Sequence, residues 1–264
     1  MKILCLGPEG TYSHLAAKKF DNKAEITFVN YILDGFEKMG TGKYDAFLAP
    51  AENMIAGSVR ETEDALFDYN FIISGAITIK IHHSLLAKST KITKIYSHIQ
   101  GINQCRKFIQ NKYPKAQIIT ASSTAKACET AKKEPNSAAI ANKVNLDYYP
   151  KLKEIHKNIE DYKNNKTKFY VISNNYALTN QKNSAIIVVP RQDSSGLLFK
   201  ILKAFKKSKI NLTKIESRPM RTQIGNYMFY IDFEGDFREK KIAKTLNKLN
   251  KSKLIKEIIV LGSY

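Results

Sequence analysis

An α/β fold in two parts is what the sequence predicts, on three observations. Short apolar strands alternate with helical stretches through residues 1–173, a polar stretch over 174–183 interrupts the pattern, and residues 184–264 reset into the order βαββαβ. The first part reads as a mostly parallel sheet covered on both faces, the second as a ferredoxin-like unit of about 80 residues. A chain of 264 residues, 43% hydrophobic and 25% charged, suits two globular domains and excludes a fibrous repeat or a disordered tail.

Taken in order, residues 2–6 form an apolar strand ending at Gly7-Pro8-Glu9-Gly10-Thr11, and Thr11 and Ser13 can cap a helix through Ala17 and Phe20. A strand at Ala24–Val29 leads to a helix near Leu33–Met39, then a buried strand at Ala46–Ala49. The loop Pro50–Ser58 precedes a helix over Glu61–Phe67 and strands at Phe71–Ser74 and Ala76–Ile81. A second set follows: strand Ile95–Ser97, helix Asn103–Asn111, strand Ala116–Thr120, helix Ser123–Lys133 and strand Ala138–Ala141. Tyr170–Ile172 is the last strand before the linker at 174–183. Beyond it the pattern predicts strand 185–189, helix 196–207, strands 210–217 and 226–233, helix 237–249 and strand 254–261.

Net charge is +19, and it is uneven: residues 1–100 are neutral, residues 101–182 carry +9 and residues 183–264 carry +10. Only six of the 43 basic residues are arginine, and the lysines are spaced Lys-x-x-Lys as on solvated helix faces. A nucleic-acid binder would show a basic stripe interleaved with aromatics, so no nucleic-acid partner is expected. The three cysteines (Cys5, Cys105, Cys128) lack CxxC spacing, which predicts neither disulfides nor zinc. No apolar run reaches the ~18 residues of a membrane span, and the expectation is a cytoplasmic protein without a membrane partner.

Three loops share one design, a strand end running into a helix start rich in small and hydroxyl residues. They are Gly7–Ser13, Glu52–Ser58 and Ala121–Thr124. A helix N-terminus exposes unpaired N–H groups and a partial positive charge, so each loop suits a carboxylate or phosphate as well as a simple cap. His82-His83 have no carboxylate or thiol at metal spacing, and no phosphate-binding or dinucleotide fingerprint is present. Catalysis would run on hydroxyls, amides and a few charges, with no metal and no cofactor.

Gly7-Pro8-Glu9-Gly10-Thr11-Tyr12-Ser13-His14 resembles the opening of prephenate dehydratases, as do Glu52-Asn53 with Gly57-Ser58-Val59 and Thr62, and Ile81-His82-His83 with Leu85. Tyr96-Ser97-His98, Gln104-Cys105-Arg106 and Ser123-Thr124-Ala125 continue the likeness. Asn158-Ile159-Glu160-Asp161 with Asn165-Lys166-Thr167-Lys168-Phe169 is similar to that family's signature. Gly196-Leu197-Leu198, Asn211-Leu212 and Glu216-Ser217-Arg218-Pro219 resemble the ACT regulatory domain of the same enzymes. The likeness covers nearly the whole chain in family order. Lys168 stands where the family usually has Arg, and Met54 where it usually has Ser; Lys keeps the charge but loses the planar fork that grips a carboxylate twice.

The resemblance implies a two-lobed, periplasmic-binding-protein-like catalytic domain over 1–173, with lobe 1 at about 1–77 and 160–173 and lobe 2 at about 78–159. An ACT domain over 184–264 would follow. It implies decarboxylative dehydration of prephenate to phenylpyruvate, with Thr167 as proton donor. Thr11, Asn53, Ser58, Ser123, Thr124, Lys168 and Phe169 would bind substrate. L-Phenylalanine would act as effector at Gly196, Leu197, Leu198, Asn211, Glu216, Ser217 and Arg218, in a homodimer or homotetramer. Two alternatives stay open on sequence: a catalytically inactive amino-acid-sensing binding protein, and arogenate dehydratase.

Overall fold

The computed structural model describes residues 1–176, 181–220 and 227–264. These divide into two compact units, one of residues 1–62 and 77–169, the other of residues 63–76 and 170–264.

In the first unit, β1 (Lys2–Leu6) is flanked by two parallel neighbours, β2 (Glu25–Val29) and β3 (Ala46–Asn53). The run Ile3-Leu4-Cys5 is wholly buried, as a central parallel strand covered on both faces requires. α1 (Tyr12–Phe20) and α2 (Ile32–Met39) connect them. α2 buries Ile32, Gly35, Phe36 and Met39, spaced for one helical face. Its closest approach is at Gly35, where a Cβ would stand 2.3 Å from the Phe47 ring. Gly35→Ala is therefore expected to cost about 1–3 kcal/mol through overpacking, outweighing alanine's better helix propensity. Thermal unfolding checks this: a melting temperature at or above wild type would mean that Phe47 yields freely.

A second sheet in this unit has the order β10-β6-β9-β7-β8. It comprises β6 (Ser84–Ala87), β7 (Lys94–Ser97), β8 (Gln117–Thr120), β9 (Ser137–Ala141) and β10 (Lys153–His156). β7 pairs parallel with β8 and β9, whereas β6 and β10 are antiparallel members that the sequence pattern did not reveal. The helix expected at Asn103–Asn111 is two, α4 (Ile99–Gln104) and α5 (Arg106–Lys112), separated where Cys105 leaves helical geometry at φ −118° and ψ 19°. α6 (Thr124–Lys133) lies between β8 and β9, and a single turn, α7 (Asn145–Tyr148), precedes β10.

The strands expected at Phe71–Ser74 and Ala76–Ile81 are one, β5 (Ile72–Lys80), because Gly75 fits an extended strand without breaking it. β5 and β11 (Lys166–Ser173) each run from one unit into the other. The chain leaves the β1-containing sheet after β5 and rejoins it at β11, having built the second sheet in between.

In the second unit four strands form an antiparallel run, in the order β13-β14-β12-β15. Its strands are β12 (Asn183–Pro190), β13 (Leu212–Pro219), β14 (Tyr227–Glu234) and β15 (Ile255–Ser263), with α8 (Leu197–Lys207) and α9 (Lys240–Asn250). This is the βαββαβ order of a ferredoxin-like unit. Leu197, Ile201 and Phe205 of α8 meet Ile242, Leu246 and Leu249 of α9 in one core against Ile186, Val188 and Ile231. α3 (Arg60–Tyr69) joins this unit from Glu63 onward. Arg218 of β13 grips the Asp64 carboxylate through Nε at 3.1 Å and Nη2 at 2.8 and 2.6 Å, and Lys214 pairs with Glu63. Parts of the expected linker (177–180) and the first residue of the expected strand 226–233 lie outside the described residues.

Candidate active site

A cavity of about 230 Å³ opens in the first unit, where loops from both sheets converge. Thr11, Asn53, Ser123, Thr124 and Thr167 line it, together with Tyr12, His83, His98, Gln104 and Ser122, none of them a carboxylate, lysine or arginine.

Two helices present hydroxyl-capped N-termini to it. Thr11 caps α1, its Oγ1 accepting from His14 N at 3.3 Å while donating to the Leu6 carbonyl at 3.1 Å. Both functions of that hydroxyl serve the fold. Ser123 caps α6, its Oγ accepting from Lys126 N at 3.0 Å, so its own proton can go to a ligand. The Gly7–Ser13 loop is held in shape by Gly10, whose φ of +80° suits glycine. The Gly10 carbonyl accepts from Asn142 Nδ2 at 2.6 Å and Asn145 Nδ2 at 3.0 Å.

The Glu52–Ser58 segment differs from the other two loops. It is a hairpin rather than a strand-to-helix turn: Gly57-Ser58 form a short β4 that pairs back onto Glu52 and Asn53. Ser58 is taken up in that pairing and is not among the cavity-lining residues. Side chains alternate along β3 and β11, and this sorts the pairs. Asn53 Nδ2 donates to Thr167 Oγ1 at 2.9 Å, bringing both to the cavity, whereas Glu52 Oε2 pairs with Lys168 Nζ at 3.0 Å. Lys168 is likewise not among the lining residues, and Phe169 is 2% exposed, packed in the core.

His83, Gln104 and His98, to which the sequence assigned no part in substrate binding, also line the cavity. His83 is 3% exposed, and burial holds its imidazole below the usual pKa, so it is neutral at pH 7. Its Nε2 lies 2.8 Å from Gln104 Oε1, an atom that can only accept, which fixes the Nε2–H tautomer. Glu160 braces the preceding turn, with Oε1 2.9 Å from His82 Nδ1 and Oε2 accepting from His83 N at 2.9 Å. Each stands among polar neighbours in the sequence, so no local pattern singles it out.

Neutral donors, two helix N-termini and one oriented hydroxyl make a cavity suited to a small anion that must receive a proton. The fold thus defines an α/β unit with a small polar cavity, joined to a ferredoxin-like unit. Comparison with known proteins makes this particular. The prephenate dehydratase family model matches residues 3–177, and the ACT domain model matches residues 185–251. The chain belongs to the prephenate dehydratase family and carries an ACT domain. It is 36% identical to the prephenate dehydratase of Methanocaldococcus jannaschii, over 97% of this chain and 95% of that one. It is also 36% identical to the bifunctional chorismate mutase/prephenate dehydratase of Pseudomonas aeruginosa, over 100% of this chain and 73% of that one. The crystal structure of prephenate dehydratase in complex with L-Phe from Arthrobacter aurescens superposes with a TM-score of 0.90 at 26% identity, covering 99% of this chain and 89% of that one. Among the described residues no helix is long and apolar enough to cross a membrane, and no three His, Cys, Asp or Glu side chains could together hold a metal ion.

Proposed function

We propose that this chain converts prephenate to phenylpyruvate with release of CO2 and water, and that L-phenylalanine regulates it through the ACT domain. The observation that carries the reading is the Asn53–Thr167 hydrogen bond at the cavity wall. Prephenate carries two carboxylates and a ring hydroxyl. As the carbon–carboxylate bond breaks, its electron pair enters the ring, the hydroxyl leaves with a proton as water, and aromatisation drives the reaction. No electron sink is needed, so the protein must hold the anions and place one proton donor against the leaving oxygen.

Thr167 is the donor. The α1 and α6 N-termini and the Ser123 hydroxyl seat the carboxylates, in a cavity whose lining carries no charged side chain. Lys168 contributes from outside the lining, through Glu52, by fixing the strand pair on which Asn53 and Thr167 stand. The ACT strand β13 lies at the end of its sheet and exposes Ile215, an edge suited to pairing with a second copy; this supports a homodimer or a dimer of dimers. Three free, buried cysteines fit a reducing compartment such as the cytoplasm.

The test is direct. Purified protein incubated with prephenate is expected to yield phenylpyruvate, read by its absorbance in alkali, and a competition with arogenate ranks the two substrates. An inert protein would leave an amino-acid-sensing role; a clear preference for arogenate would change the substrate and keep the chemistry.

A further inference from the structure

We propose that Asn165 is a positioning residue for the dehydration: it holds Asn53 so that the Thr167 hydroxyl must point its proton into the cavity. The proposal rests on the reading of the site given above.

Asn53 is fully committed. Its Oδ1 accepts from the Ile55 and Ala56 backbone N–H groups, both at 3.0 Å, which settles which end of the amide is the NH2. That NH2 donates to Asn165 Oδ1 at 2.9 Å and to Thr167 Oγ1 at 2.9 Å, with a longer approach to the Lys166 carbonyl at 3.3 Å. A hydroxyl that accepts from an amide N–H cannot aim its own proton at that donor. Thr167 therefore turns its proton away from Asn53, and the cavity is what it faces.

Asn165 is itself oriented from behind. Its Nδ2 donates to Gln104 Oε1 at 3.1 Å, the same oxygen that takes the His83 Nε2–H. With the NH2 directed at Gln104, the Asn165 oxygen is left for Asn53. The Asn165 backbone is fixed as well, its carbonyl accepting from Ile81 N at 2.9 Å. Asn165 is 2% exposed and is not among the cavity-lining residues, so any effect on turnover passes through Asn53. Without its oxygen, the Asn53 amide can settle on the Lys166 carbonyl and release Thr167.

The experiment is a double-mutant cycle on the full chain with prephenate as substrate. Asn165→Ala is expected to lower kcat by roughly 10- to 100-fold, part of the 10²–10³ that one positioned donor supplies, with KM changed by less than about threefold. In a Thr167→Ala background the same change should alter kcat by less than about twofold, because the hydroxyl it positions is gone. Asn165→Asp serves where the alanine variant does not fold. Protonated, that carboxyl again donates to Gln104 and accepts from Asn53; ionised, it cannot donate. Its kcat should therefore climb towards acid pH with a slope wild type lacks. An active wild type with an unimpaired Asn165→Ala, an additive cycle, or an Asn165→Asp pH profile parallel to wild type overturns the positioning role alone. A wild type inert towards prephenate overturns the functional reading, and this role with it.

Discussion

Thr167→Ala is expected to lose about 10²–10³ in kcat, the usual cost of one positioned donor, while the fold and the binding of a non-reacting substrate analogue survive. A threonine hydroxyl is a poor acid, so its value lies in where its proton is held. Here one amide hydrogen of Asn53 occupies the hydroxyl oxygen at 2.9 Å, and the proton has the cavity to itself. Thr167→Ser keeps both features and should keep most of the turnover. Removing the methyl and hydroxyl from a half-buried strand position leaves no charge unpaired, so the melting temperature should move little. Circular dichroism, an analogue-binding titration and the phenylpyruvate assay together separate a chemical loss from a folding one. Turnover equal to wild type would take the proton donor away from Thr167. Glu52 would be a poor replacement, since its carboxylate is turned to the other face and paired with Lys168; Ser123, whose hydroxyl proton is uncommitted, would be the next to test.

The site was legible in the sequence where its chemistry is local. Thr11 and Ser123 are helix caps, and a cap announces itself by a small hydroxyl residue ahead of an apolar period. Both line the cavity. The hairpin at Gly57-Ser58 was not legible, because a two-residue strand has no periodicity to detect. The division between Thr167 and Lys168 needed the start of β11, since alternation assigns faces only once the strand is known. The network of His83, Gln104, Asn165 and Asn53 joins residues 21 to 112 positions apart, beyond any local pattern. The same holds for β6 and β10, whose antiparallel placement is a property of the sheet rather than of Ser84–Ala87 or Lys153–His156. In the ACT domain the period was strong enough to place both helices, because Leu197, Ile201 and Phe205 mark one buried face of α8.

Saturating L-phenylalanine is expected to suppress turnover and to raise the melting temperature. A ligand that binds only the folded state stabilises it by about 2.7 kcal/mol at a hundredfold excess over Kd, and each kcal/mol moves the midpoint of a chain this size by about 2–4 °C. The unit over which it acts sorts the proposed contacts. Leu197 is 2% exposed and belongs to the core, whereas Leu198 is 37% exposed, so Leu198 is the member of that pair free to meet an aromatic ring. Gly196 caps α8 at φ +77° with nothing within 4 Å of where a Cβ would stand, which leaves open space against the backbone. On β13 the alternation separates Ser217, exposed, from its neighbours Glu216 and Arg218 on the other face. Arg218 is engaged by Asp64, and Asn211 Nδ2 donates to Glu234 Oε1 at 2.9 Å. Ser217→Ala should therefore weaken inhibition with little change in the unliganded melting temperature. Arg218→Ala should lower that temperature whether or not phenylalanine is present, because it leaves the Asp64 carboxylate without its guanidinium. Inhibition curves and melting scans, each with and without phenylalanine, distinguish the two. If phenylalanine neither inhibits nor shifts melting in the parent protein, the βαββαβ unit serves assembly alone, and the exposed edge of β13 is the surface through which it would do so.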